Sequence, residues 1–290
     1  MRAVARVETP RPAAPGFSAD GVDSIAGFTP RSIHEATASM QAALEFFHRT
    51  NDYRAVFLHM YYIITRNVQD EIESPSDPSN PIFLDPAWMS RLAGKFATLY
   101  YRSLRTFEKP ASTERAWKLA HGLAIRKEST VLQDMILGIT AHIKYDLAAA
   151  IAANLREHRD QEAPGALIAR KRDHDNANTI LRRSIREIKR TIPREYGGLR
   201  RQLHQSWFSL DELLAIAIVR YHREKVWWDA LELIRCRDQQ EVDRVMHRLD
   251  RESIRVAERL AGNRSVLVRT LRPFVADERR RDITVCTAMG

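Results

Sequence analysis

Apolar residues recur three and four positions apart from about residue 32 to residue 235, and each run ends at proline, glycine or a capping residue. This period puts the apolar side chains on one face of an α-helix, so the pattern predicts packed amphipathic helices. No segment alternates apolar and polar residues over a convincing length, so no strand is predicted. The predicted helices cover about 32–49, 53–73, 85–107, 112–126, 129–157, 165–191 and 209–234. The fold class is therefore all-α.

The same pattern divides the chain into three segments. Residues 1–30 hold four of the twelve prolines and have no helical period, which predicts a flexible N-terminal arm. Residues 31–235 are predicted to form one globular multi-helix bundle, in which the helix from 165 stops before Pro193 and a shorter helix follows. Residues 236–290 are predicted to form a C-terminal extension of charged helices.

The predicted helix 129–157 is apolar on most faces in its middle, where the chain reads VLQDMILGITAHI. A helix with this composition is surrounded by other helices, so it is predicted to be the central, buried one. His142 and Asp146 lie four residues apart on it and therefore share one face. Gly138 lies one turn earlier, and its missing side chain predicts a gap that a ligand or another backbone can enter.

A neutral imidazole and a carboxylate at this spacing suit two kinds of chemistry. They can ligate a divalent metal ion, or the carboxylate can hold the imidazole in one tautomer so that it acts as a base. In a packing role, His142 and Asp146 would only satisfy each other's hydrogen bonds in the core. A metal site in a bundle needs ligands from a second helix, and Asp175 and Asn178, three residues apart, are the candidates.

Charge and cysteine content narrow the setting. The net charge of the chain is +9. The segment from Ile168 to Arg201 contains eleven Arg or Lys and four Asp or Glu, and its net charge of +7 can attract nucleic acid. Aromatic residues do not alternate with these basic ones, so nucleic acid is the less favoured partner. Two cysteines, no secretory signal and apolar stretches shorter than a bilayer span predict a soluble, cytoplasmic protein without membrane insertion.

Several segments resemble a known family. They are Tyr61–Val68 (YYIITRNV), Phe83–Asp85, Phe96–Tyr100 (FATLY), Trp117 and Val131–Leu147 (VLQDMILGITAHIKYDL). Together they resemble a domain-of-unknown-function family, number 5995, whose hallmark helix reads L-Q-x-L-L-L-G-x-N-A-H-I-N-x-D-L. Two further segments are similar to its second and third elements: Asp173–Leu181 and Tyr221–Ala230.

The resemblance implies an all-helical fold and a shared site with His142, Asp146, Asp175 and Asn178, and it implies no reaction. The family's N-A-H-I-N is T-A-H-I-K here, so a hydroxyl and an amine replace two amides. If those amides assist binding, the ligand of this chain differs from that of its relatives.

Three hypotheses follow from these residues. The first is an enzyme, metal-dependent or not, that acts on a small organic substrate of specialised metabolism through His142, Asp146, Asp175 and Asn178. In its metal-dependent form His142, Asp146 and Asp175 ligate a divalent metal ion. The second is a non-catalytic helical ligand-binding or scaffold protein, and the third is a nucleic-acid binder acting through its basic surface. A homo-oligomer is compatible with all three.

Overall fold

The computed structural model of the chain describes residues 25–107, 114–157, 165–196 and 208–262, with side chains from residue 219 onward in the last range. These ranges contain helices and no strand, so the predicted all-α class is confirmed. The helices are α1 (Ile33–Arg49), α2 (Ala55–Glu73), α3 (Pro86–Thr106), α4 (Arg115–Ile125), α5 (Val131–Arg156), α6 (Ala166–Tyr196), α7 (Phe208–Arg235) and α8 (Gln239–Ala261).

Local sequence sets where the helices begin. The Asp85 side chain accepts a hydrogen bond from the backbone N–H of Trp88, and Pro86 occupies the first turn of α3. Thr130 and Gln133 form a reciprocal capping box at the start of α5. Such caps satisfy backbone donors that have no partner inside the helix, so these starts are predictable from the residues alone.

The end of α6 differs from the prediction. The sequence predicts a stop before Pro193, whereas the helix continues through this proline to Tyr196. The Tyr196 hydroxyl lies 2.7 Å from Nε2 of His48 and 3.1 Å from Nδ1 of His59, which joins the last turn of α6 to α1 and α2. These tertiary contacts stabilise the last turns of α6, where Pro193 has no backbone N–H to donate. The shorter helix predicted after it falls mostly outside the described residues.

The central position predicted for α5 is confirmed. Its first half packs against α2, α4 and α8, and its second half packs against α3 and α7. Helix α5 is long and apolar enough to span a membrane by length and composition alone. The sequence analysis does not predict this, because it finds only short, interrupted apolar runs. However, 72% of its apolar window is buried within the protein, as expected for the core helix of a bundle.

Parts of both predicted flanking segments belong to the bundle. Ile25 and Ala26, which the sequence assigns to the arm, are buried in the core, and the Thr98 hydroxyl donates to the carbonyl of Pro30. Helix α8, assigned to the extension, packs on α4 and α5, and Asp250 on it pairs with Arg115 at 2.6 Å. Residues 1–24 and 263–290 lie outside the described part of the chain.

Candidate functional site

The central helix changes its hydrogen-bond pattern at the predicted site. His142–Asp146 form one turn of π-helix within α5, and the backbone N–H of Leu147 donates to the carbonyl of His142. A π turn inserts one extra residue, so the helix faces before and after it are offset by one position. Such turns are rare in proteins, and many of those that occur lie at functional sites.

His142 and Asp146 form the pair that their spacing predicts. Nδ1 of His142 lies 2.8 Å from Oδ2 of Asp146, and the indole N–H of Trp117 donates to the same oxygen at 2.8 Å. All three side chains are buried. Spacing within a single helix does not predict the contact of Trp117 with Asp146, because the indole reaches the pair from α4. The place of Trp117 among the residues that carry the family resemblance is the one signal in the sequence for it.

Aromatic rings enclose the His142 imidazole. The Phe96 ring is stacked on it, with ring centroids 3.4 Å apart and an interplanar angle of 7°. The Tyr61 ring meets it edge-on at 4.5 Å. The gap predicted beside Gly138 is filled by the Phe57 ring, since a Cβ on Gly138 would lie 2.2 Å from Phe57 Cδ2. The missing side chain therefore admits a core aromatic ring and not a ligand.

His142 also lines a largely apolar cavity of about 120 Å³. Two polar atoms of residues in its wall are buried without a hydrogen-bond partner among the described residues: Nε2 of His142 and Nε of Arg223. Most buried polar atoms in folded proteins are paired, so these two atoms need an explanation. An apolar cavity with a few polar groups is the usual form of a small-molecule site.

Burial sets the charge of the pair. It lowers the pKa of His142 well below its ordinary value, and it raises the pKa of Asp146 to about 8 against the opposing effects of the Trp117 hydrogen bond and the Arg102 charge. Below this pH, Asp146 keeps its proton and donates to Nδ1, so Nε2 carries the ring proton. Above it, the carboxylate accepts from Nδ1–H, and Nε2 presents a lone pair.

The predicted contributors from α6 do not join this pair. Asp175 is ion-paired with Lys171 at 2.6 Å, and its side chain is 45% exposed. Asn178 has a buried, unpaired Oδ1 but is not part of the cavity wall. The wall residues of α6 are His174, Ala177 and Leu181. Neighbouring residues of a helix point about 100° apart, so α6 is rotated by roughly one residue from the predicted orientation.

The predicted metal ligands His142, Asp146 and Asp175 are therefore not brought together as a set. Within the ranges that the structure describes, no group of three His, Cys, Asp or Glu side chains is arranged to hold a metal ion. Nδ1 of His142 and Oδ2 of Asp146, which are potential metal-ligating atoms, contact each other instead. The geometry of these residues gives the metal-binding hypothesis no support.

Sequence analysis also misses the contact between α6 and α7 at the cavity. Nη2 of Arg223 donates to the carbonyl of His174 at 2.5 Å, and Nε2 of His174 lies 3.0 Å from the carbonyl of Arg223. Each side chain thus reaches the backbone of the other helix. Both residues are buried, and both line the cavity. In the sequence Arg223 is one of many arginines, and its place in Tyr221–Ala230, which resembles the third element of the family, is the one signal for it.

Fold and site together define an all-α protein with a small apolar cavity beside a buried His–Asp pair. The model of a family of unknown function (DUF5995) matches residues 33–263. The chain belongs to this family. The match confirms the resemblance and extends it from the middle of the chain to α1 and α8. No curated protein and no solved structure matches the chain.

We expect the free energy of unfolding to be highest at about pH 6 to 7. Burial lowers the pKa of His121, His142 and His174, so the unfolded chain takes up protons below about pH 6.5 that the folded chain does not, and acid destabilises. Burial raises the pKa of Asp134 to about 7 and of Asp146 to about 8. The folded chain keeps these protons where the unfolded chain has lost them, so stability also falls as pH rises toward 8.

Urea denaturation across this pH range checks the prediction. Among the described residues, burial lowers the pKa of six histidines and raises the pKa of four carboxyls, so below about pH 6.5 the histidines decide the sign of the change in stability. A free energy of unfolding that stays level or rises between about pH 6.5 and 8 would contradict the assignment of raised carboxyl pKa values.

Proposed function

We propose that this protein is an enzyme that transfers a proton to or from a small apolar organic molecule, with His142 as its acid–base residue. The proposal rests on the different surroundings of the two nitrogen atoms of the His142 ring. Nδ1 is held by Asp146, whereas Nε2 is buried without a partner among the described residues, and His142 lines the cavity. A base held in one orientation by a carboxylate, with its second nitrogen free, is the arrangement that proton transfer requires.

Each neighbour has a part in this chemistry. Asp146 orients the imidazole and stabilises the imidazolium that forms when Nε2 accepts a proton. Trp117 holds the accepting oxygen of Asp146 in place through its indole N–H. The apolar wall excludes water, and in such surroundings charge interactions are stronger than in solvent.

Hydrogen–deuterium exchange tests the proposal before any substrate is identified. The purified protein is incubated in D₂O with a panel of small apolar ketones, aldehydes, esters and acids, and deuterium uptake is followed by mass spectrometry. We expect uptake into at least one compound, a rate that rises as pH passes through about 8, and a loss of about 10²- to 10⁴-fold in His142→Gln. His34→Gln is the matched control, because His34 is exposed.

The second candidate is a non-catalytic ligand-binding protein. It is favoured by the two buried polar atoms of the cavity wall that have no hydrogen-bond partner among the described residues, because these atoms require a partner and no reaction. The same panel separates the two candidates. Compounds that bind the wild-type protein but exchange no deuterium at any pH would overturn the enzyme proposal and leave the binding protein.

The basic segment 168–201 receives less support as a nucleic-acid surface. Several basic side chains of α6 are engaged in ion pairs with acidic side chains of the bundle, which reduces the local charge available to phosphates. These pairs are Arg170–Asp85, Lys171–Asp175 and Arg183–Glu71.

A further inference from the structure

Arg223 is a buried arginine in the wall of the cavity, with 8% of its surface exposed. Its Nη2 donates to the carbonyl of His174, and its Nε is buried without a partner among the described residues. No ion pair joins Arg223 to an acidic side chain in this part of the chain. Asp175, whose charge acts on Arg223, is itself ion-paired with Lys171. Within the described ranges, the guanidinium therefore has no carboxylate of its own.

This guanidinium carries a charge at neutral pH. Burial lowers the pKa of Arg223 only to about 10, and the Asp175 charge opposes even that change. A buried charge without a counter-ion is costly, so buried guanidinium groups are usually paired. A hydrogen bond to the His174 carbonyl satisfies one donor and supplies no negative charge. An anionic ligand in the cavity would supply it.

The rest of the wall selects the kind of anion. The cavity is lined mainly by apolar side chains, among them Val68, Ala177 and Leu181, which suit an apolar body. One guanidinium balances one negative charge, and its planar donor edge matches the two oxygens of a carboxylate. A phosphate dianion would leave a second charge unbalanced in apolar surroundings. These features favour a carboxylate with a short hydrocarbon group.

Cavity size limits the hydrocarbon group. The volume of about 120 Å³ is somewhat below the roughly 150 Å³ of an engineered protein cavity that binds benzene. Butyrate and isobutyrate, each with as many non-hydrogen atoms as benzene, are therefore near the upper size that fits without rearrangement. A molecule anchored at Arg223 also lies in the space that His142 borders, because both residues line this cavity.

We propose that Arg223 binds the carboxylate of the substrate, and that the cavity takes a small aliphatic carboxylic acid as its anion. The inference rests on the proposed function, because it names the substrate class for the same cavity. It adds a binding residue on α7 to the acid–base residue on α5. It also explains why the Nε donor of Arg223 has no partner in the part of the chain that the structure describes.

Calorimetric titration of the full chain with isobutyrate and with its neutral counterpart isobutyramide tests this inference. We expect isobutyrate to bind at least about tenfold more tightly than the amide, because a charge-assisted hydrogen bond is lost in the amide. Arg223→Gln should remove this preference. Arg220→Gln, which deletes the same charge from an exposed position on the same helix, should keep it.

Equal affinity for the two compounds in the wild-type protein, no binding of either, or a preference that survives in Arg223→Gln would overturn the inference. If Arg223→Gln does not fold, Arg223→Lys keeps the charge and loses the planar fork, and a weaker preference for isobutyrate is then expected. The Arg223 Nε–H resonance of wild-type protein labelled with ¹⁵N-arginine, assigned with Arg223→Lys, gives a second measurement. It should shift on addition of isobutyrate and remain unchanged with isobutyramide.

One more variant keeps this inference separate from proton transfer. His142→Gln should retain the preference for isobutyrate, because the carboxylate contacts Arg223. Carboxylate binding without any deuterium exchange would overturn the proposed enzyme and leave the binding inference intact. Deuterium exchange that is confined to neutral compounds and is unaffected by Arg223→Gln would overturn the binding inference and leave the proposed enzyme intact.

Discussion

Replacing Asp146 by asparagine is expected to abolish proton acceptance by His142 while the protein stays folded. The Trp117 indole and Nδ1 of His142 contact the same atom, Oδ2, so an amide oxygen at this position can accept from both N–H groups. This oxygen carries no negative charge, so the imidazolium that forms when Nε2 accepts a proton loses its counter-ion in apolar surroundings. Amide replacement of the orienting carboxylate in a Ser-His-Asp triad costs about 10⁴-fold in rate, and we expect a loss of about 10³- to 10⁴-fold.

The measurement is deuterium exchange between about pH 6 and 9 in wild-type protein and in Asp146→Asn. The rise near pH 8 that the raised Asp146 pKa predicts should be absent from the variant. Near pH 7 the free energy of unfolding should rise, because the folded variant no longer keeps a carboxyl protonated that the unfolded wild-type chain ionises. Exchange within about tenfold of the wild-type rate would contradict the role of Asp146.

Trp117→Ala is expected to lower the free energy of unfolding by about 4 to 5 kcal/mol. Its indole is 1% exposed, lies parallel to the His121 ring at 4.9 Å and meets the Phe57 ring edge-on at 5.3 Å. The alanine variant loses these contacts and leaves Asp146 without its indole donor. Trp228→Ala is the matched control: Trp228 is 59% exposed, so we expect a change within about 0.5 kcal/mol.

Urea denaturation followed by circular dichroism measures both variants, and a loss below about 1 kcal/mol in Trp117→Ala would contradict the packing role of the indole. Trp117→Phe adds a functional measurement. It keeps an aromatic ring and removes the N–H that lowers the Asp146 pKa, so the pH dependence of deuterium exchange should move to higher pH.

The proposals for Asp146 and Trp117 differ in how far the sequence predicts them. The pairing of His142 with Asp146 is predicted because both residues lie on one helix, where spacing determines which side chains meet. Trp117 contacts Asp146 from α4, 29 positions away in the chain, and no local pattern encodes that contact. The sequence therefore predicts the pair and not the donor that holds it.

Asp175 and Gly138 illustrate the same limit. The three-residue spacing of Asp175 and Asn178 correctly puts them on one helix, but the rotation of α6 about its axis decides which residues face the cavity. That rotation turns His174 and Ala177 inward. The missing side chain of Gly138 is equally visible in the sequence, whereas its occupant, the Phe57 ring, comes from α2.

By themselves the residues determine the all-α class, the approximate limits of the helices, the central position of α5 and the contact between His142 and Asp146. These properties depend on hydrophobic period, capping and spacing within a single helix, which act over a few residues. Only the tertiary structure decides the π turn, the cavity, the role of Arg223 and the continuation of α6 to Tyr196. Each of these depends on how side chains from separate helices pack together, and that packing is a property of the whole bundle.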